Sequence, residues 1–147
     1  SLESLRLLDG IVDIYMPDAK YSDDRIAGRY SLVKDYWQRA KDALREMHRQ
    51  VGELVIGEDG VARRGVLVRH LVLPEGLAGT QEVARFLARE LSPDTYVNVM
   101  GQYRPENKAP DHPPLNRRLR RQELVEAVRA ARKEGLRRFD ERWQVPV

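Results

Sequence analysis

The chain contains no cysteine. That excludes disulfides, thiolate zinc sites and thiolate-bound iron–sulfur clusters within these 147 residues. It also lacks an apolar run of the ~18 residues needed to cross a bilayer as a helix. No secretory leader is visible, so no membrane association is expected and the chain reads as cytoplasmic. Aromatic side chains are sparse, at six Tyr, two Phe and two Trp. Histidine is scarcer still: His48, His70 and His112 stand apart, with none of the spacings that metal ligands share. Net charge is small at +3, because 23 acidic residues offset 26 basic ones. Arginine makes up 21 of those 26. An arginine bias favours anions, yet the interspersed acids and the few rings available for base stacking argue against nucleic acid as a partner. The length suffices for one domain with a sizeable core.

What is present centres on residues 65–76, GVLVRHLVLPEG. Residues 66–74 are β-branched or aliphatic apart from Arg69 and His70, and Gly and Pro bound them. Such a run reads as a strand buried on both faces. A guanidinium in that setting needs a carboxylate, a phosphate or a ligand, because an unpaired buried charge is very costly. Side chains alternate along a strand, so Arg69 and His70 point to opposite faces. The set Val66, Val68, His70 and Val72 is the β-branched one and suits helix packing. That leaves Leu67, Arg69, Leu71 and Leu73 for the interior.

The flanking sequence alternates strand and helix. Residues 2–8 read as the last turns of a helix, 11–16 (IVDIYM) as a strand, and Ser22-Asp23-Asp24 as the cap of a short helix to about Gly28. Ser31 is a candidate cap for a longer helix whose apolar face is Val33, Trp37, Ala40, Leu44, Met47 and Val51. Residues 53–64 read as a hairpin turning at Gly57-Glu58-Asp59-Gly60. Thr80 is the expected cap of a helix with Val83, Phe86, Leu87 and Leu91 on its face. Residues 95–100 (TYVNVM) form a third strand. Residues 102–120 are polar, proline-rich and aperiodic, which predicts a long loop, either a lid or disordered. Residues 122–134 form a last helix, with Arg120 a poor cap and fraying expected. Residues 137–147, ending in Trp143 and Val145, read as a tail.

The expected fold is α/β: three consecutive βα units with a parallel sheet. A closed barrel needs eight such units, so the chain reads as the C-terminal portion of a larger barrel-like domain, with open sheet edges available for self-association. A small open α/β sandwich is the alternative.

Parallel α/β folds bind ligands at the carboxyl ends of their strands. Asp18 and Lys20 follow the first strand, Arg69 lies in the second, and Gln102, Tyr103 and Arg104 follow the third. An anionic ligand group, a carboxylate above all, suits Arg69. Asp18 and Lys20, two apart, would hold a zwitterion, or Asp18 would hold a cation beside a carboxylate. Against this stand plainer readings: a solvated loop for Asp18 and Lys20, a core carboxylate such as Asp13 as the partner of Arg69, a hydrogen-bonded core role for His70, and packing for Tyr96 and Tyr103.

Five stretches, YMPDAKY (15–21), EMHRQVG (46–52), RRGVLVRHLVLPEGLAGT (63–80), SPDTYVNVMGQYRP (92–105) and NRRLRRQELVEAVRAARKEGL (116–136), resemble radical S-adenosylmethionine proteins related to pyruvate formate-lyase activating enzyme. The resemblance implies the C-terminal half of a partial (βα)6 barrel. It also implies two cofactors for the full-length protein, S-adenosylmethionine and a [4Fe–4S] cluster, and reductive cleavage to a 5′-deoxyadenosyl radical. Implied partners are a glycyl-radical enzyme as protein substrate and a reductant such as flavodoxin or ferredoxin. Asp18 and Lys20 match the family's D-x-K motif and Arg69 its cofactor-binding arginine. The place of a further cofactor contact falls near Gln102 and Tyr103. Met16, through its backbone, and Asp18 match positions that hold a monovalent cation. The family's CxxxCxxC motif is absent, so this chain as given is expected to be inactive and unable to hold the cluster.

Overall fold

The computed structural model describes residues 1–140. Five strands form one mostly parallel sheet. Strand β1 (Ile14–Tyr15), β3 (Ala62–Leu71), β4 (Tyr96–Met100) and β5 (Arg138–Phe139) lie side by side in that order, all parallel, and β2 (Val55–Ile56) pairs antiparallel with β3. Helices α2 (Asp24–Ser31) and α3 (Tyr36–Val51) connect β1 to the hairpin, α4 (Thr80–Phe86) connects β3 to β4, and α5 (Arg121–Lys133) connects β4 to β5. A short α1 (Leu2–Arg6) precedes β1. The sheet thus has one parallel strand more than the sequence pattern suggests. Residues 138–139, expected in the tail, pair with Tyr96 and Val97 because Phe139 is buried in the core. Trp143 and Val145 lie outside the described residues.

The alternation along β3 sorts its faces as expected up to Val72. Val66, Val68, His70 and Val72 are buried, with Val83, Phe86 and Leu87 of the α4 segment in the same core, while Leu67, Arg69 and Leu71 are only half-buried; Leu73, expected with the second set, is buried in a separate cluster with Tyr21 and Ala78. The strand is therefore covered on one face, not both. Its length also differs: β3 begins at Ala62, so the returning arm of the hairpin is the main strand itself and not an excursion before it. Gly65 makes that continuity possible. Its φ is +114°, and a Cβ there would lie 2.1 Å from the Glu53 carbonyl oxygen. Backbone meets backbone at that point, and only glycine fits.

Two helix starts differ from expectation. Asp23 caps α2, its carboxylate accepting from the Arg25 N–H at 2.8 Å, and α2 runs through Ser31. Ser31 therefore ends a helix instead of capping the next. Asp35 takes that place, and Asp24 Oδ1 accepts the Trp37 N–H at 2.6 Å, leaving Val33 off the helical face. At α4 the cap is Gly79, and Thr80 turns inward to bond His70. Helix α5 is held at its start by Glu123, which accepts the Arg120 N–H at 2.8 Å and pairs with Arg117 at 2.7 Å. The reach-back from Glu123 supplies what Arg120 cannot. Residues 102–120 form a loop with a 3₁₀ turn at Ala109–Asp111 and a cis Pro113–Pro114 bond. Leu115 is buried with Leu73 and Ala78, and the Tyr103 hydroxyl donates to the Leu115 carbonyl at 2.7 Å.

Candidate functional site

Strand β1 does not stop pairing at Tyr15. The Arg69 N–H donates to the Pro17 carbonyl at 2.9 Å, and the Ala19 N–H donates to the Arg69 carbonyl at 2.9 Å. Residues 17–19 thus run parallel to β3 with Asp18 opposite Arg69. Alternation then separates the side chains. Ala19 is fully buried among core residues, while Asp18 and Lys20 are exposed.

Arg69 Nε donates to Asp18 Oδ1 at 2.6 Å. Both side chains stay open to water, at 38% for Arg69 and 43% for Asp18. The sequence offered Asp13 as a protein partner. Instead Asp13 is exposed, and its carbonyl accepts from the Gly65 N–H at 2.8 Å, four residues down β3. The hydrogen bond between Arg69 and Asp18 uses Nε alone, and neither Nη of Arg69 makes a hydrogen bond among the described residues. Lys20 likewise forms no side-chain hydrogen bond or ion pair among them; its recorded bond is through its backbone N–H. The register adds Asn98 to the row, opposite Arg69 on β4. Its Oδ1 is closed off from water and has no hydrogen-bond partner among the described residues. A polar residue within the apolar run 95–100 is the same kind of signal as Arg69, and sequence reasoning applied it to one strand but not to the other.

Two side chains hold the 18–20 segment from outside the row. His70 is buried, with Nδ1 2.6 Å from the Ala19 carbonyl and Nε2 2.8 Å from Thr80 Oγ1. A carbonyl can only accept, so Nδ1 carries the proton, and Nε2 accepts from the threonine hydroxyl. Burial lowers the His70 pKa from its ordinary value, which keeps that neutral form. On the other side the Tyr36 hydroxyl accepts the Lys20 N–H at 2.7 Å and donates to the Asp18 carbonyl at 3.2 Å. Nothing local in the sequence marks Tyr36, which lies 16 residues beyond Lys20 on α3.

Met16 and Tyr103, also expected at the site, do not join this row. Met16 is exposed on β1's extension. Tyr103 packs in the cluster with Tyr21, Leu71 and Leu73, and its hydroxyl is spent on the Leu115 carbonyl. His112 meets Tyr30 edge-on at 6.4 Å. Among the described residues no three His, Cys, Asp or Glu side chains converge to hold a metal ion.

The fold and site define an α/β protein with a mostly parallel sheet, one face packed on helices and a polar row crossing the other. No family model and no solved structure matches the chain. It is 36% identical over 137 residues to an uncharacterized protein, MJ0674, of Methanocaldococcus jannaschii, a match that takes in 92% of this chain and 36% of that protein. The chain therefore spans a little over one third of the length of this curated relative. No helix among the described residues is long and apolar enough to cross a membrane.

Proposed function

We propose that this chain is the C-terminal half of a radical S-adenosylmethionine barrel and carries part of its cofactor site. The observation that carries the reading is Arg69. It stands mid-strand on the face that the helices leave open, bound to Asp18 through Nε, with neither Nη atom hydrogen-bonded among the described residues. A guanidinium with two idle donors beside a carboxylate and a lysine fits an amino-acid zwitterion such as the methionyl end of S-adenosylmethionine. Arg69 would hold the ligand carboxylate, Asp18 Oδ2 the ammonium, and Lys20 would add positive potential. Tyr103 would border the site through packing. When bound in the full-length protein, the cofactor supplies a carbon-centred radical. The [4Fe–4S] cluster does not fit this chain, which offers no cysteine. A glycyl-radical substrate protein, a flavodoxin or ferredoxin reductant, the Met16–Asp18 cation site and a cytoplasmic location belong to the same reading. Two tests decide it. S-adenosylmethionine titrated into the isotopically labelled chain should move the Asp18, Lys20 and Arg69 signals, and Arg69→Met should abolish the effect. The full-length protein, loaded with iron and sulfide and reduced, should release 5′-deoxyadenosine. A folded, loaded protein that releases none would sink the reading.

A second reading rests on a different observation. Of the eleven exposed large apolar residues described, eight lie in the first 33 positions, among them Leu7, Ile11, Ile14 and Met16. They flank β1, an edge strand beside a groove of about 720 Å³ between α1 and α3. An α/β interaction module that joins a second copy or a separate half through this edge also accounts for them. Light scattering separates the two: a stable, cooperatively unfolding monomer argues against edge pairing.

A further inference from the structure

We infer that Tyr36 is a positioning residue for this site, completing with its hydroxyl the backbone ladder that presents Asp18 and Lys20. The inference rests on the proposed cofactor site for its ligand, but not for its geometry. Residues 17–19 pair with Arg69 through the Pro17 carbonyl and the Ala19 N–H. In a parallel ladder the alternate groups face the other way. The Asp18 carbonyl and the Lys20 N–H therefore point out from the sheet edge, where no strand lies among the described residues. Left there, they would have water alone, and the segment would be free to twist about its single pairing with β3. The Tyr36 hydroxyl takes both groups, accepting from Lys20 at 2.7 Å and donating to Asp18 at 3.2 Å.

The phenol is itself fixed. Its ring packs edge-on against Tyr21 with centroids 5.7 Å apart, within the cluster that includes Leu73 and Ala78. Burial raises its pKa from the usual tyrosine value, so the proton needed for the bond to Asp18 is retained. His70 holds the intervening Ala19 carbonyl from the core side. Asp18 and Lys20 are thus gripped through three successive peptide groups, from two opposite directions. Neither of their side chains is used in the grip, which leaves the Lys20 ammonium and Asp18 Oδ2 to a ligand. The same contact blocks strand addition at 18–20, which confines any edge pairing to the part of β1 below the site.

Tyr36→Phe tests this, because the ring and its packing remain while both hydrogen bonds go. Tyr15→Phe is the control: it removes another buried tyrosine bond, to Gln50 Oε1 at 2.6 Å, which touches none of residues 17–20. In Tyr36→Phe the Lys20 amide should exchange with deuterium about threefold to tenfold faster, the change expected on losing one such bond. Uptake of S-adenosylmethionine should weaken by a similar factor. Tyr15→Phe should alter neither. Unchanged Lys20 exchange in Tyr36→Phe overturns the inference. So does loss of uptake in both variants in proportion to their loss of stability, which would mark Tyr36 as merely structural. If the parent chain takes up no S-adenosylmethionine at all, the proposed function fails, and Lys20 exchange alone decides the clamp.

Discussion

Replacing Arg69 with methionine distinguishes a ligand-facing arginine from a structural one without any ligand in the tube. Methionine keeps the aliphatic stem that lies along β3 and removes the charge. If Arg69 were the buried, paired guanidinium that residues 66–74 suggest on their own, its loss would strand Asp18 and cost about 3–5 kcal/mol. The geometry says otherwise. Arg69 and Asp18 are 38% and 43% exposed, they share one hydrogen bond, through Nε, and water can solvate either partner alone. Exposed pairs of this kind contribute about 0–1 kcal/mol. The expected cost of Arg69→Met is therefore under about 1 kcal/mol. Urea unfolding followed by circular dichroism reads this directly, as a midpoint shift at constant slope. A loss above about 2 kcal/mol would place Arg69 in the fold's own electrostatics and remove the main ground for a ligand at this position.

Three further expectations follow from groups on the covered side. His70→Leu strips the Ala19 carbonyl and the Thr80 hydroxyl of their shared partner in a buried place, and should cost about 2–4 kcal/mol in the same assay. Gly65→Ala sets a Cβ 2.1 Å from the Glu53 carbonyl oxygen at a φ of +114°; a loss of about 3 kcal/mol or more is expected, with the hairpin displaced from β3. Glu134, whose carboxylate is 7% exposed and bonds Arg85, Gln81 and Arg89, is held at a pKa of about 2 against the ordinary 4.5, chiefly by the Arg85 hydrogen bond. The folded pKa is depressed, so its stabilisation is present above pH 4.5 and disappears as pH falls toward 2. Glu134→Gln should flatten that acid limb in a circular-dichroism titration, while an unaltered limb would show that Glu134 does not contribute.

How much of this was legible in the sequence depended on whether the cause was local. The two faces of β3 could be read because period-two alternation is a property of adjacent residues, and β-branched Val66, Val68 and Val72 duly meet the helices. The face of α3 from Trp37 to Val51 was legible for the same reason at a period of 3.6. What escaped was set by contacts distant in sequence. Ser31 has the chemistry of a cap, but Asp24 reaches across to the Trp37 N–H and moves the helix start to Tyr36. Thr80 also has cap chemistry, yet His70, ten residues away, claims its hydroxyl. β5 is two residues long and has no alternation to detect; it exists because Phe139 fills a place in the core beside Val97. At the site, the sequence singled out Asp18, Lys20 and Arg69, and the structure brings Asp18 and Arg69 into contact. Asn98 carried a similar signal, and Tyr36 carried none.

The division of labour along one strand explains why such tests can be read separately. In β3, odd-numbered Arg69 faces open water and even-numbered His70 faces the core, one residue apart. His70 stabilises by satisfying the Ala19 carbonyl, so its loss is expected to appear in unfolding. Neither Nη of Arg69 is hydrogen-bonded among the described residues, so its loss is expected to appear in binding. Both act on the same three residues, 18–20, one through the backbone and the other through a side chain. A substitution that weakened folding and left ligand uptake intact at Arg69, or did the reverse at His70, would contradict the sorting of faces itself, whatever the ligand proves to be. The family resemblance names S-adenosylmethionine, but the geometry asks for less: an anionic group for Arg69 and a cationic one for Asp18, held close together. Methionine alone meets that requirement. If methionine and S-adenosylmethionine move the same signals of the labelled chain, the row reads the amino-acid end. If S-adenosylmethionine acts and methionine does not, the adenosine moiety must supply the missing contacts, and the signals that move beyond Asp18, Lys20 and Arg69 locate them.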